Sequence, residues 1–152
     1  MSFSARVKNL EQDESLMDFA DFRGLKLHKF NKTTLALSGK WILLQDFLNM
    51  KVNLKLLKKL GNGYIPMSMI NLRNQDCCDL VNSPKWQEIF LKDMFDHTDL
   101  PNSCHILPGV YKFTNYIPSV PQNMPVGEYR ADVTFIQNTN PVAKYKWFIT
   151  VQ

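Results

Sequence analysis

Met50-Lys51-Val52-Asn53-Leu54-Lys55-Leu56 alternates apolar and polar residues without a break. Successive side chains of a strand point to opposite faces, so this heptapeptide sends Met50, Val52, Leu54 and Leu56 to one side and Lys51, Asn53 and Lys55 to the other. It reads as a β-strand with one face in a core and one in water. Upstream, Leu35, Leu37, Trp41 and Leu43 share one phase of the same period, with Gly39 in register as a candidate bulge or bend. Downstream, Gly61-Asn62-Gly63 predicts a hairpin turn, because these residues tolerate positive φ. Ile65, Met67 and Met69 then return on alternate positions, and Pro66 belongs at an edge or a bulge.

The same period recurs near the carboxyl end, in Tyr129, Ala131, Val133 and Phe135 and again in Tyr145, Trp147, Ile149 and Val151, with a turn at Asn138-Thr139-Asn140-Pro141 between them. Leu25 and Leu27, and Tyr111 and Phe113, suggest shorter strands, while Pro118, Pro121 and Pro125 punctuate a loop. One helix is predicted over about 84–96. Asn82 or Ser83 can cap it and Pro84 suits its first turn. Trp86, Ile89, Phe90 and Met94 fall on one face, with Lys85, Glu88, Lys92 and Asp93 largely on the other. Seven to eight short antiparallel strands with one helix predict a mainly β sandwich spanning residues 21–152. Residues 1–20 form a loose lead-in or an edge strand.

A chain of 152 residues is enough for one domain with one core. Charge is uneven. Residues 1–60 hold eleven Lys/Arg against six Asp/Glu, and residues 61–152 hold seven against eight. A basic amino half favours anionic headgroups, a membrane surface or nucleic acid, or is a solvated face. No aromatic-basic motif of the RNA-binding kind accompanies it, so nucleic acid is not an expected partner. No apolar run reaches 18 residues, so no transmembrane helix is predicted.

Motifs for chemistry are lacking. There is no G-x-S-x-G, no H-E-x-x-H, no phosphate-binding loop and no G-x-G-x-x-G. His28, His97 and His105 share no metal-ligand spacing, and Asp96-His97-Thr98-Asp99 reads as a solvated turn. No enzyme activity, cofactor or metal is expected. Cys77 and Cys78 are adjacent, not a C-x-x-C pair. Either can reach Cys104, closing a loop of about 25 residues worth roughly 3–4 kcal/mol. Such a staple suits an oxidising compartment. So does Asn31-Lys32-Thr33, an N-glycosylation sequon. Met50, Met67, Met69 and Met94 fall on predicted inward positions. Methionine either fills an ordinary core or adapts to apolar ligands.

Several stretches together carry a resemblance: Leu37-Ser38-Gly39 before Trp41, Asp46 ahead of the strand at 50–56, Asp76-Cys77-Cys78-Asp79-Leu80-Val81, Pro101-Asn102-Ser103-Cys104-His105-Ile106-Leu107-Pro108-Gly109-Val110-Tyr111, and Met124-Pro125-Val126-Gly127-Glu128-Tyr129-Arg130. Over residues 20–152 the chain resembles an insect family of small secreted proteins of unknown function that includes the CheB chemosensory proteins. That family is distantly similar to the ML lipid-recognition group, which includes the ganglioside activator. The resemblance implies an immunoglobulin-like sandwich, secretion, and a lipid-like or hydrocarbon ligand in a pheromone-type role, with a membrane receptor or channel as a further partner. It matches the family's first cysteine to Cys78, so the implied disulfide is Cys78–Cys104 and Cys77 is the extra thiol. The family usually has proline after its second cysteine, where this chain has His105. Met1-Ser2-Phe3-Ser4-Ala5-Arg6 has no apolar run of the signal-peptide kind, so secretion implies a leader ahead of Met1.

Under this reading Trp41, Tyr111, Phe113 and Tyr129 shape the interior or its mouth. With Leu43, Met50, Val52, Leu54, Ile65, Met67 and Met69 they are the candidate ligand contacts. The alternative is a sandwich with a filled core that acts through surface contacts with other proteins.

Overall fold

A computed structural model describes residues 5–118 and 124–152. Pro121, one of the three prolines of the expected 118–125 loop, lies outside the described residues, as do residues 1–4. The strands are β1 (Ala5–Gln12), β2 (Ala20–Asp21), β3 (Leu25–Lys29), β4 (Leu35–Leu43), β5 (Met50–Leu60), β6 (Gly63–Asp76), β7 (Gly109–Tyr116), β8 (Gly127–Gln137) and β9 (Asn140–Val151). Between β6 and β7 lies α1 (Cys77–Val81). After it α2 (Pro84–Trp86), a π-helical turn (Gln87–Leu91) and α3 (Lys92–Asp96) run on as one helical segment, 84–96.

The strands form two antiparallel sheets that face each other as an open sandwich. The first has the order β1-β9-β8-β5-β6. In the second, β4 pairs along one edge with β2 and β3, while its other edge pairs with β7. The expected mainly β sandwich is therefore what forms, with nine strands among the described residues where seven to eight were predicted. Part of the difference lies in the first twenty residues: β1 is an edge strand whose Val7 is buried, and β2 is two residues long.

Each open side of the sandwich is closed differently. On the β1 side, the Gln12 amide donates to the Ala20 carbonyl (2.9 Å) and accepts from the Phe22 amide (2.7 Å). On the β6 side, the helical segment fills the gap. It is capped by Ser83, whose hydroxyl accepts from the Trp86 amide, with Pro84 at the first turn. Residues 97–99 then follow the free edge of β7. Thr114 N–H donates to the His97 carbonyl, and the Lys112 amide donates to Asp99 Oδ1 at 2.7 Å. The sequence reading missed α1. Its N-cap is Asp76, whose carboxylate accepts from the Cys78 and Asp79 amides. No helix among the described residues is long and apolar enough to cross a membrane.

Two features break the simple alternation. At β6, Leu57 pairs with Pro66 and Lys55 pairs with Asn71, so five steps of β6 oppose two of β5. The three extra residues are an odd number and reverse the phase of the strand. Met69 (42% exposed) consequently faces solvent, while Ile70 and Leu72 turn in. Ile65 lies before the reversal, opposite Lys58, and is 49% exposed at the hairpin end beyond the core, so neither Ile65 nor Met69 is the inward contact expected of it. At β4, the pairing with β7 shifts between Leu37 and Gly39, the bulge expected there.

Candidate functional site

Between the sheets and under the helical segment lies a cavity of about 330 Å³. The first sheet supplies Val52, Leu54, Leu56, Ile70 and Leu72 from β5 and β6, with Ala131, Val133, Phe135, Tyr145 and Trp147 from β8 and β9. The second sheet supplies Leu37, Trp41, Phe113 and Tyr116. The helical wall is Leu80, Trp86, Ile89, Phe90, Met94 and Phe95. Among the described residues no charged side chain lines it, and Ser103 is the one aliphatic hydroxyl.

The helical face predicted from Trp86, Ile89, Phe90 and Met94 thus forms a wall of the cavity. Of the candidate ligand contacts, Trp41, Val52, Leu54 and Phe113 line it. Leu43 and Met50 are buried in the surrounding core. Met67 packs against a second cluster built around Tyr129, whose hydroxyl donates to the Pro125 carbonyl at 2.6 Å. Tyr111 sits beside Trp41 (ring centroids 6.0 Å) and donates its hydroxyl to the Leu107 carbonyl. Ile65 and Met69 are outside. Ile70 and Leu72 were hidden by the phase reversal in β6. Met124 was hidden because it lies beside the proline-punctuated loop, where no period can be read.

The thiols and the Tyr145 phenol in and beside the lining are bonded or held neutral. Cys78 is bonded to Cys104, their Cα atoms 4.8 Å apart, so neither sulfur is a nucleophile. Cys77 is free and buried, and burial, with a smaller push from the Asp76 charge, raises its thiol to about 12. At neutral pH it is protonated and inert. Burial also raises the Tyr145 phenol, chiefly by desolvation, and keeps it neutral. Aromatic contacts brace the walls: Phe22 stacks on Trp41 (5.3 Å, 17°) and meets Tyr145 (4.8 Å), and Phe47 meets Phe135 edge-on (5.4 Å). The turn at Asp96–Asp99 is engaged in structure, His97 Nδ1 lying 2.8 Å from the Asp93 carbonyl and Thr98 Oγ1 donating to the Lys112 carbonyl.

Such a space suits an uncharged, apolar guest. Ligand pockets of this kind bind through buried area with few polar contacts. A charge would be stripped of water with nothing to pair it. For scale, an apolar cavity of about 150 Å³ holds benzene, so this one has room for on the order of a dozen carbon atoms.

Fold and site together define an antiparallel β-sandwich with an apolar cavity between its sheets. Residues 52–131, more than half of the chain, match the model of a family described as a protein of unknown function (DUF1091), and the chain belongs to that family. The matched span runs from β5 into β8 and contains the disulfide, the helical segment and most of the cavity wall. Comparison with curated proteins gave no match.

Proposed function

We propose that this chain is a secreted, non-catalytic binding protein that holds a single lipid-like or hydrocarbon molecule between its sheets, in a chemosensory role of the pheromone type. The observation that carries the reading is the cavity itself, about 330 Å³ with no charged side chain among its described lining residues. Secretion is supported by the Cys78–Cys104 disulfide, which suits an oxidising compartment, and by the exposed sequon residue Asn31 in the β3–β4 loop. The chemosensory role, and a membrane receptor or channel as recipient of the ligand, rest on the resemblance to the CheB proteins and the ML group.

A fluorescence titration with N-phenyl-1-naphthylamine tests the cavity. The dye is expected to brighten on binding and to be displaced by a long-chain hydrocarbon ester. Leu54→Trp, which puts an indole into the cavity, should weaken dye binding at least tenfold. Ile65→Trp, at the exposed end of the β5–β6 hairpin and outside the cavity lining, should leave it unchanged. Equal binding by both variants would place the dye elsewhere and sink the proposal.

A further inference from the structure

Register places five exposed apolar side chains at one end of the sandwich. The β5–β6 hairpin puts Leu60 at its tip and pairs Ile65 with Lys58. Lys58 also pairs with Tyr129, which brings the start of β8 and the preceding Val126 to the same end. Arg6, at the start of β1, donates to the Thr33 carbonyl across the sandwich and so fixes the Phe30–Thr34 loop there. Tyr116 pairs with Leu37 near the start of β4, which sets Ile117 beside that loop. Phe30, Leu60, Ile65, Ile117 and Val126 are 37% to 56% exposed.

The charges at this end have one dominant sign. Arg6, Lys8, Lys29, Lys32, Lys58 and Lys59 belong to the same strand ends and loops. Among the described residues there, Glu128 is the one carboxylate side chain. It is already engaged by Lys8 (3.6 Å) and by the Thr150 hydroxyl (2.9 Å). The opposite end also exposes apolar side chains, Leu44, Leu48 and Leu107, but Asp18 and Asp46 stand among them and its charge is mixed. Apolar side chains ringed by lysine and arginine are what an anionic bilayer takes up: the cations meet headgroups while the apolar groups enter the acyl boundary.

We propose that this end of the sandwich docks on an anionic lipid bilayer. Pro118 and Met124, both lining the cavity, lie at the same end, so the docked surface and the cavity share a wall. Docking does not depend on the cavity being filled, and either reading can fail without the other.

The test is co-flotation of the full chain with vesicles, run both on the chain as secreted from insect cells and on the same chain after removal of any sugar at Asn31, which lies beside Phe30. The chain should float with vesicles of phosphatidylcholine mixed with phosphatidylserine, much less with phosphatidylcholine alone, and less as salt is raised. One lysine near the surface is worth about fivefold in partition, so Lys32→Gln/Lys59→Gln should lose at least tenfold. Leu60→Ser/Val126→Ser, at exposed tips where folding is not at stake, should lose a similar factor. Leu107→Ser, at the opposite end, should lose nothing. Absence of phosphatidylserine-dependent flotation would overturn the proposal. So would unchanged flotation of the tip variants, or an equal loss in Leu107→Ser.

Discussion

Replacing Gly39 by alanine is expected to lower stability by about 3 kcal/mol or more, well above the cost of a typical single substitution. Gly39 has φ +126°, a conformation that side chains resist. A Cβ built on it would lie 2.0 Å from the Gly24 carbonyl oxygen, which is backbone and not the end of a flexible side chain. Gly24 is crowded in the same way, its own Cβ position being 2.7 Å from the Lys40 carbonyl oxygen. The two glycines let β3 and β4 close on each other where β4 also takes its bulge against β7. Trp41, two residues on, lines the cavity, so displaced backbone here also moves the site. In a thermal melt the loss corresponds to roughly 6–12 °C for a chain of this size. Gly61→Ala is the matched control. Gly61 also has positive φ (62°), yet a Cβ there meets nothing within 4 Å, and its cost should stay near about 1 kcal/mol. If Gly39→Ala melts no lower than Gly61→Ala, the close approach of β3 and β4 is not what the fold requires.

Removing the disulfide in Cys78→Ala/Cys104→Ala is expected to lower stability by roughly 3–4 kcal/mol, the entropy of closing a loop over a sequence separation of 26. The bond joins α1 to the segment entering β7, and so clamps the helical wall onto the second sheet. Leu80, two residues after Cys78, and Ser103, next to Cys104, both line the cavity. Ligand binding should therefore weaken together with stability. Cys77 does not rescue the single variant Cys78→Ala, because it is buried with its thiol raised to about 12. Urea unfolding of the double variant against the parent measures the effect. A change under about 0.5 kcal/mol, far below the loop-closure value, would mean that packing alone holds the helical wall.

Much of this architecture was legible because its signals are local. The alternation at 50–56 and 145–151, the Gly61-Asn62-Gly63 turn and the apolar stripe of the 84–96 helix each arise within one element, where period and side-chain direction are tied. The resemblance selected Cys78 over Cys77 as the bonded cysteine, a choice the residues alone left open. What could not be read was non-local. Nothing in Pro66–Asn71 announces three extra residues against β5, and that count decides that Ile70 and Leu72 turn in while Met69 turns out; Ile65 is exposed because the hairpin end runs past the core. α1 is five residues long, too short to show a period, although Asp76 ahead of Cys77 was a usable cap signal. The cavity joins two sheets and a helix far apart in sequence. Four of the expected contacts line it, while Leu43 and Met50 became ordinary core, because alternation reports burial and not which buried residues border empty space.

Native mass spectrometry of the chain purified from insect cells tests the binding reading most directly. The expected result is a non-covalent adduct of an uncharged, single-chain lipid or hydrocarbon, present on the parent and on Ile65→Trp and absent from Leu54→Trp. A parent chain that flies without any adduct, and takes up no long-chain ester when one is supplied, would contradict it.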